Sequence, residues 1–232
     1  DLKAEALTVK HLMTHFPKND WCPTCQVAKM QRKPCKKKVK LPKIDKAKPE
    51  FCKAVTADHA IAQSDVSSGV TGDKDALIVG CRSTGYFDGF PADAKSAVQT
   101  CKGLNEFRGT TKIKEMYTDN SRELVKAADE LRIPHPTSTQ GRPMTNGVAE
   151  RLVRKVMEGT RSALWQAGFP PGFWPYAMRA YCLSQNVTKD PKTGESSWER
   201  RHRGVQFKGK YLPFGCLVHF EPDPDNVKNL PK

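Results

Sequence analysis

The sequence predicts an α/β fold: a mixed five-stranded sheet flanked by helices, with a small helical His/Cys module before it and a short β-rich extension after it. Three observations predict it. β-prone runs and helical patterns follow one another in the order βββαβαβα between Lys53 and Ala167. Two His and a Cys-x-x-Cys pair fall within the first 25 residues, ahead of any run able to form a core. A Lys-rich, Pro-punctuated stretch, which cannot bury a core, separates the two regions.

The elements divide the chain into a module over residues 1–31, a linker over 32–50, a core over 51–188 and the start of an extension over 189–232. In the core, Lys53 to Ala62 reads as the first strand, Ala76 to Cys81 as the second, and the third surrounds Tyr86-Phe87. Ser96 to Phe107 has helical spacing, with Val98, Cys101, Leu104 and Phe107 on one face. Lys112 to Thr118 reads as a strand, Arg122 to Leu131 as an Ala/Leu/Glu/Lys-rich helix, and Ile133 to Thr137 as a short strand. Ser138 to Asn146 carries Gly141 and Pro143 among polar residues and reads as a loop. Gly147 to Ala167 is the longest helical pattern, ended by Gly168 and Pro170-Pro171, and Phe173 to Asn186 is the next. Tyr211 to Phe220 reads as β-structure before a Pro/Asp-rich tail.

With 232 residues, 38% of them hydrophobic, the chain can bury an ordinary core. Its formal charge of +14 favours a polyanionic partner. That charge is uneven: residues 1–50 hold 13 Lys and Arg against 5 Asp and Glu, a net of +8. No window resembles a membrane span, so no membrane partner is expected. No secretory signal is visible, and the eight cysteines are scattered apart from one Cys-x-x-Cys, which favours metal binding and free thiols over disulfides. The chain begins at Asp1, and we read it as a segment of a longer polyprotein that is not secreted.

Three acidic residues stand out by context: Asp58 in Thr56-Ala57-Asp58-His59, Asp119 in Tyr117-Thr118-Asp119-Asn120, and Glu150 in Thr145-Asn146-Gly147-Val148-Ala149-Glu150-Arg151. Two strand-borne aspartates and a glutamate in the first turn of a helix are suited to a pair of divalent metals such as Mg²⁺ or Mn²⁺, held roughly 3.5–4 Å apart for attack on a phosphodiester. Each residue alone has an ordinary reading, and Glu150 after Asn146-Gly147 also fits a helix start complementing the helix dipole. The order and wording of the three together resemble the D,D-E signature of retroviral and retrotransposon integrase cores. Downstream, Phe173-Trp174-Pro175-Tyr176-Ala177, Asn186, Ser197-Trp198-Glu199 and Leu212-Pro213-Phe214-Gly215-Cys216 resemble, in order, the segment after the core in copia-type integrases. The Asp119–Glu150 gap of 30 residues is a few shorter than is common in that family.

The resemblance implies an RNase H-like sheet, a DNA strand transferase with Asp58, Asp119 and Glu150 as catalytic metal ligands, homo-oligomers on DNA ends, and a nuclear or particle-bound location. It leaves two alternatives, a catalytically inactive nucleic-acid-binding relic and an RNase H-like nuclease that uses water as nucleophile.

In the module, His11 and His15 share a helical face at i, i+4, and Cys22 and Cys25 form a knuckle, a donor set for one tetrahedral Zn²⁺. The arrangement resembles the HHCC module of integrases with a shorter stretch between His15 and Cys22, and Cys35 is a weaker ligand candidate. Residues 1–30 lack the apolar mass to fold alone, so metal is expected to hold them, independently of the core. Candidate DNA contacts are Arg151, Arg154, Lys155 and Arg161 on the Glu150 helix, Arg142 in the preceding loop, and Lys36, Lys37 and Lys38 in the linker. For Arg161 a solvated helix face is an equal reading, and the linker lysines equally fit a nuclear-entry signal.

Overall fold

The computed structural model describes residues 1–29, 49–61, 68–136 and 147–219. Three strands form one antiparallel sheet in the order β1 (Val55–Ile61), β2 (Asp75–Cys81) and β3 (Phe87–Ala92). β2 is central and buried along its whole length, as the continuous Ala-Leu-Ile-Val run requires of a strand covered on both faces. Pairing sets Asp58 opposite Ile78, and Ile78 opposite Gly89.

Alternation along the strands sends the two faces into two cores. Val55, Ala57, Leu77, Val79 and Phe90 pack on Leu104 and Phe107 of α4 (Ala97–Arg108) and Leu124, Ala127 and Ala128 of α5 (Arg122–Glu130). Ala60, Ala76, Ile78 and Phe87 face the other way, against Leu152, Val153 and Val156 of α6 (Gly147–Ala167) and Met178, Tyr181 and Cys182 of α7 (Trp174–Val187).

The predicted five-stranded sheet is not reached among the described residues. The Lys112–Thr118 run lies alongside β1 through a single parallel bridge, Val55 with Met116, where Val55 N donates to Glu115 O and Tyr117 N to Val55 O, each at 2.9 Å. The Ile133–Thr137 run touches it through Met116 N donating to Pro134 O at 2.9 Å. Pro134 and Pro136 carry no N–H, so a ladder cannot continue through them. The third strand runs further than expected, through Pro91, which β3 tolerates because it is an edge strand. Of the predicted Tyr211–Phe220 β-structure, residues 211–219 form no strand; Phe214 instead packs on Ala163, Leu164 and Ala177, and Phe220 lies outside the described residues.

Asn186 fixes the sheet edge to α7: its Nδ2 donates to Phe87 O at 2.6 Å and its Oδ1 accepts from Phe87 N at 3.2 Å. α6 and α7 meet where Gly159 lies under the Tyr181 ring, in space that a side-chain carbon would share with the ring atoms. The Gly159→Ala variant is therefore expected to lose about 1–3 kcal/mol or more of stability, since neither the buried ring nor two packed helices can yield. A denaturant midpoint equal to wild type would show that the contact is loose.

Candidate functional site

The module folds as three short helices, α1 (Leu2–Ala6), α2 (Val9–Thr14) and α3 (Pro23–Ala28). Thr8 caps α2, its hydroxyl accepting from His11 N at 3.2 Å, and His15 ends it in the left-handed conformation at φ 46°. The turn brings His15 beside Cys22, the N-cap of α3. The four donor atoms of His11, His15, Cys22 and Cys25 all lie within 4.8 Å of one another, and all four side chains are buried. Cys25 Sγ stands 3.5 Å from His11 Nε2 and 3.7 Å from His15 Nδ1, and Cys22 Sγ stands 3.6 Å from His15 Nδ1.

A tetrahedron built with Zn–S of about 2.3 Å and Zn–N of about 2.0–2.1 Å has S···N edges of about 3.5 Å, so these residues fit a zinc ion as they stand. Burial lowers the pKa of both imidazoles, that of His15 to about 4, and raises that of the Cys25 thiol. Neutral imidazoles suit a metal, whereas the thiol must give up a proton that a metal would replace.

The module is not independent of the core. α2 and α3 pack against α6, and α2 also against α7. Gln185 Nε2 donates to Thr14 O at 3.2 Å, across the α2–α7 contact. Lys29 is buried, and its Nζ donates to His15 O at 2.6 Å; burial lowers its pKa, against which the Cys25 and Glu158 charges act. Lys155 joins the same contact: its ammonium lies 4.4 Å from the Phe87 ring centroid and 5.7 Å from that of Phe16, and burial lowers its pKa to about 8. It is not laid out along an open phosphate-binding face.

Asp58 is half-buried in β1, on the sheet face that receives α6: its alternation partner Ala60 packs on Leu152 and Val153, the turn after Glu150. Burial raises the Asp58 pKa, and the neighbouring Asp119 charge raises it further; His59 N, donating to Asp58 Oδ1 at 2.7 Å, and the Lys95 ammonium work against the shift. Asp119 leaves the Met116 bridge just ahead of α5, and its Oδ1 accepts from Ser121 N at 3.2 Å. Thr118 beside it donates to Asp119 O at 2.7 Å and meets His135 Nε2 at 2.6 Å. The two aspartates thus share one electrostatic environment.

Glu150 is exposed in the first turn of α6, on the same side of the sheet. Among the described residues, the one group of three or more His, Cys, Asp and Glu gathered at metal-ligating spacing is the His/Cys cluster, so the three carboxylates do not close on one another at that spacing. Their donor type nevertheless fits a hard divalent cation, and a half-buried carboxylate raised by a like charge is one that a cation relieves.

Arg151, Arg154 and Arg161 are exposed; with Glu150, Met157 and Trp165 the latter two form one exposed stripe along α6. Arg142, Lys36, Lys37 and Lys38 lie outside the described residues. The sequence reading missed one buried network. His59, facing away from Asp58, donates from Nδ1 to Asp75 Oδ2 at 2.6 Å, and its Nε2 meets Thr100 Oγ1 at 3.3 Å, lining a cleft of about 360 Å³. Strand alternation gives the direction of His59, but nothing local marks Asp75 as its partner.

Two outcomes follow. Because the Asp58 carboxyl titrates higher folded than unfolded, its ionisation opposes folding as pH rises past the carboxylate range. Without divalent metal, Asp58→Asn should melt higher than wild type at pH 7, with the advantage vanishing as pH falls through that range; a lower melting point at pH 7 would contradict the burial argument. Chelation, in turn, should unfold residues 1–29 and also lower the melting point of the core, because α2 and α3 lean on α6 and α7. Two transitions, the second unmoved by chelator, would restore the independence read from the sequence.

No protein-family model matches the chain. It is 36% identical over 149 residues to the retrovirus-related Pol polyprotein from transposon RE1 of Arabidopsis thaliana, covering 61% of this chain and 10% of that protein. It is 37% identical over 111 residues to that from transposon TNT 1-94 of Nicotiana tabacum, covering 45% and 8%, and 37% identical over 138 residues to that from Arabidopsis transposon RE2, covering 56% and 10%. The chain therefore spans a tenth or less of these relatives. Among solved structures it is similar to the catalytic core domain of BIV integrase, at a TM-score of 0.48 and 14% identity, over 66% of this chain and 95% of that one. No helix among the described residues is long and apolar enough to cross a membrane. The homologues of this chain are retrovirus-related Pol polyproteins from copia-type transposons.

Proposed function

We propose that the chain is the integrase segment of a retroelement polyprotein and catalyses DNA strand transfer. The single observation that carries this reading is the setting of the carboxylates: Asp58, raised by burial and by the neighbouring Asp119 charge, lies on the sheet face where α6, with Glu150 in its first turn, packs. The order of the D,D-E residues and the homology to Pol polyproteins support it. In this reading residues 1–31 are the zinc module, 51–188 an RNase H-like catalytic core and 189–232 the start of a C-terminal extension. The protein works as a homo-oligomer on DNA ends, in the nucleus or in a cytoplasmic particle.

The 3′-oxygen of retroelement DNA attacks phosphorus in the target strand in line with the departing 3′-oxygen. One P–O bond forms as another breaks, and the hydroxyl proton passes to solvent or base. Asp58, Asp119 and Glu150 would hold Mg²⁺ or Mn²⁺, which when bound activates the attacking hydroxyl and stabilises the leaving oxygen. The protein's own groups do the rest. Ser121 N holds Oδ1 of Asp119 and His59 N holds Oδ1 of Asp58, which fixes both carboxylates. Arg154 and Arg161, on the exposed stripe that starts at Glu150, neutralise phosphates, and Trp165 at 60% exposure offers a ring further along it. His11, His15, Cys22 and Cys25 would hold Zn²⁺ and fold the module against α6 and α7.

One observation favours a second reading, a relic that binds DNA without joining it: Glu150 is not gathered with the aspartates at ligand spacing. A Mg²⁺-dependent strand-joining assay with a labelled oligonucleotide separates the two, and water-dependent cleavage without joining would instead mark a nuclease. We expect joining by the wild-type chain, loss of joining by two or more orders of magnitude in Glu150→Gln, and near wild-type DNA binding by that variant, because affinity comes from Lys and Arg on phosphates. Arg154→Ala with Arg161→Ala should weaken binding to every sequence and flatten the log–log salt slope by up to about 2. An unchanged slope would return both arginines to the solvated surface, and wild-type joining by Glu150→Gln would remove the catalytic assignment.

A further inference from the structure

One nitrogen in the His/Cys site has no partner. His15 turns Nδ1 toward the Cys22 and Cys25 sulfurs, which leaves Nε2 on the other side of the ring, buried and without a completed hydrogen bond. A second buried orphan is Oε1 of Gln166, in the last turn of α6. α2, which His15 ends, packs against α6, and Gln166 is the α6 side chain within reach of the His15 ring. Two turns earlier on the same helix, at i−8, Glu158 places its charge in the surroundings of Lys29, whose Nζ holds the His15 carbonyl at 2.6 Å. The His15 backbone is thus held from the end of α3, while its ring is turned toward α6.

We propose that Gln166 is the outer partner that sets the tautomer of His15: its Oε1 accepts the Nε2–H proton, so that the Nδ1 lone pair faces the two thiolates. The inference rests on the reading that this cluster holds zinc. The chemistry is specific. An imidazole that gives Nδ1 to a metal must carry its remaining proton on Nε2, and a buried N–H needs an acceptor. Gln166 Oε1 is a buried acceptor that lacks a donor, so one bond satisfies both atoms. It also makes α6 the mount of the metal site: the helix whose first turn bears Glu150 ends by orienting a metal ligand.

The test uses the full 232-residue chain with Co²⁺ as the spectroscopic probe, its affinity read by chelator competition. Q166M keeps the volume and removes the acceptor, whereas Q166E keeps an accepting oxygen. Q166M is expected to bind Co²⁺ about 10–100-fold more weakly than wild type, and Q166E to stay within a few-fold of it. Should Q166M fail to fold, Q166N, which withdraws the oxygen by one methylene, carries the same comparison. Wild-type Co²⁺ affinity in the variant lacking a placed acceptor, or a loss in Q166E equal to that in Q166M, overturns the proposal. If the wild-type chain takes up neither Co²⁺ nor Zn²⁺, the zinc reading itself falls and this inference with it.

Discussion

The close approach of α6 to α7 at Gly159 is the constraint on which the rest of the structure depends. Tyr181 is almost wholly buried and lies across Gly159, where the missing side chain lets the helices draw together. With that spacing set, Leu152, Val153 and Val156 reach Ala60, Ala76 and Ile78, and Met178 and Cys182 cover Gly89 of β3. The sheet face carrying Asp58 is thus closed by α6 and α7 together, and the first turn of α6 is left at its margin with Glu150 exposed. The same pair of helices offers its other flank to α2 and α3. A shift of α6 against Tyr181 would move the carboxylate face and the module mount together, because both are surfaces of one helix.

Electrostatics then distinguishes the two donor sets. The His/Cys site is closed: its four donors are buried, its imidazoles are held neutral, and its S···N edges already match those of a tetrahedral zinc site. Such a site contributes folding energy and offers no open position to a substrate. The carboxylate set is the opposite. Asp58 is half-buried, Asp119 is half-exposed and Glu150 is exposed, and burial, with the Asp119 charge behind it, pushes the first of them up. Hard oxygen donors with room between them leave coordination positions for water and phosphate oxygens, the property that phosphoryl chemistry requires of Mg²⁺.

Much of this was legible in the sequence wherever local patterning decides structure. The span of α6 follows from its apolar period and the Gly168 and Pro170 stop, and the gathering of His11, His15, Cys22 and Cys25 follows from their spacing. What failed depended on distant partners. Lys155 reads as a DNA contact by its charge on an exposed-looking helix, but Phe16 and Phe87, remote in sequence, take its stem and ammonium into the module contact. The strand count fell short for a local reason that propensity underrates: prolines at 134 and 136 end a ladder that the β-prone Lys112–Thr118 run would otherwise extend. Asn186, one letter in a motif by sequence, turns out to bind both polar groups of Phe87 and so to fasten the sheet edge.

The independence of the module was misread for the same reason. A Lys-rich linker predicts loose tethering only if nothing else joins the two parts, and the joining groups here are single side chains spread over the sequence: Lys29 toward Glu158, Gln185 toward Thr14 and Gln166 toward His15. None forms a motif, and each is an ordinary surface residue by type. The Gln185–Thr14 hydrogen bond, the Lys155 ammonium over the Phe16 ring and the packing of α2 and α3 on α6 and α7 tie the module to the core, on the helix whose first turn bears Glu150. The His/Cys cluster and the sheet face carrying Asp58 thus share one packed helix, α6, and are joined through it rather than through the linker alone.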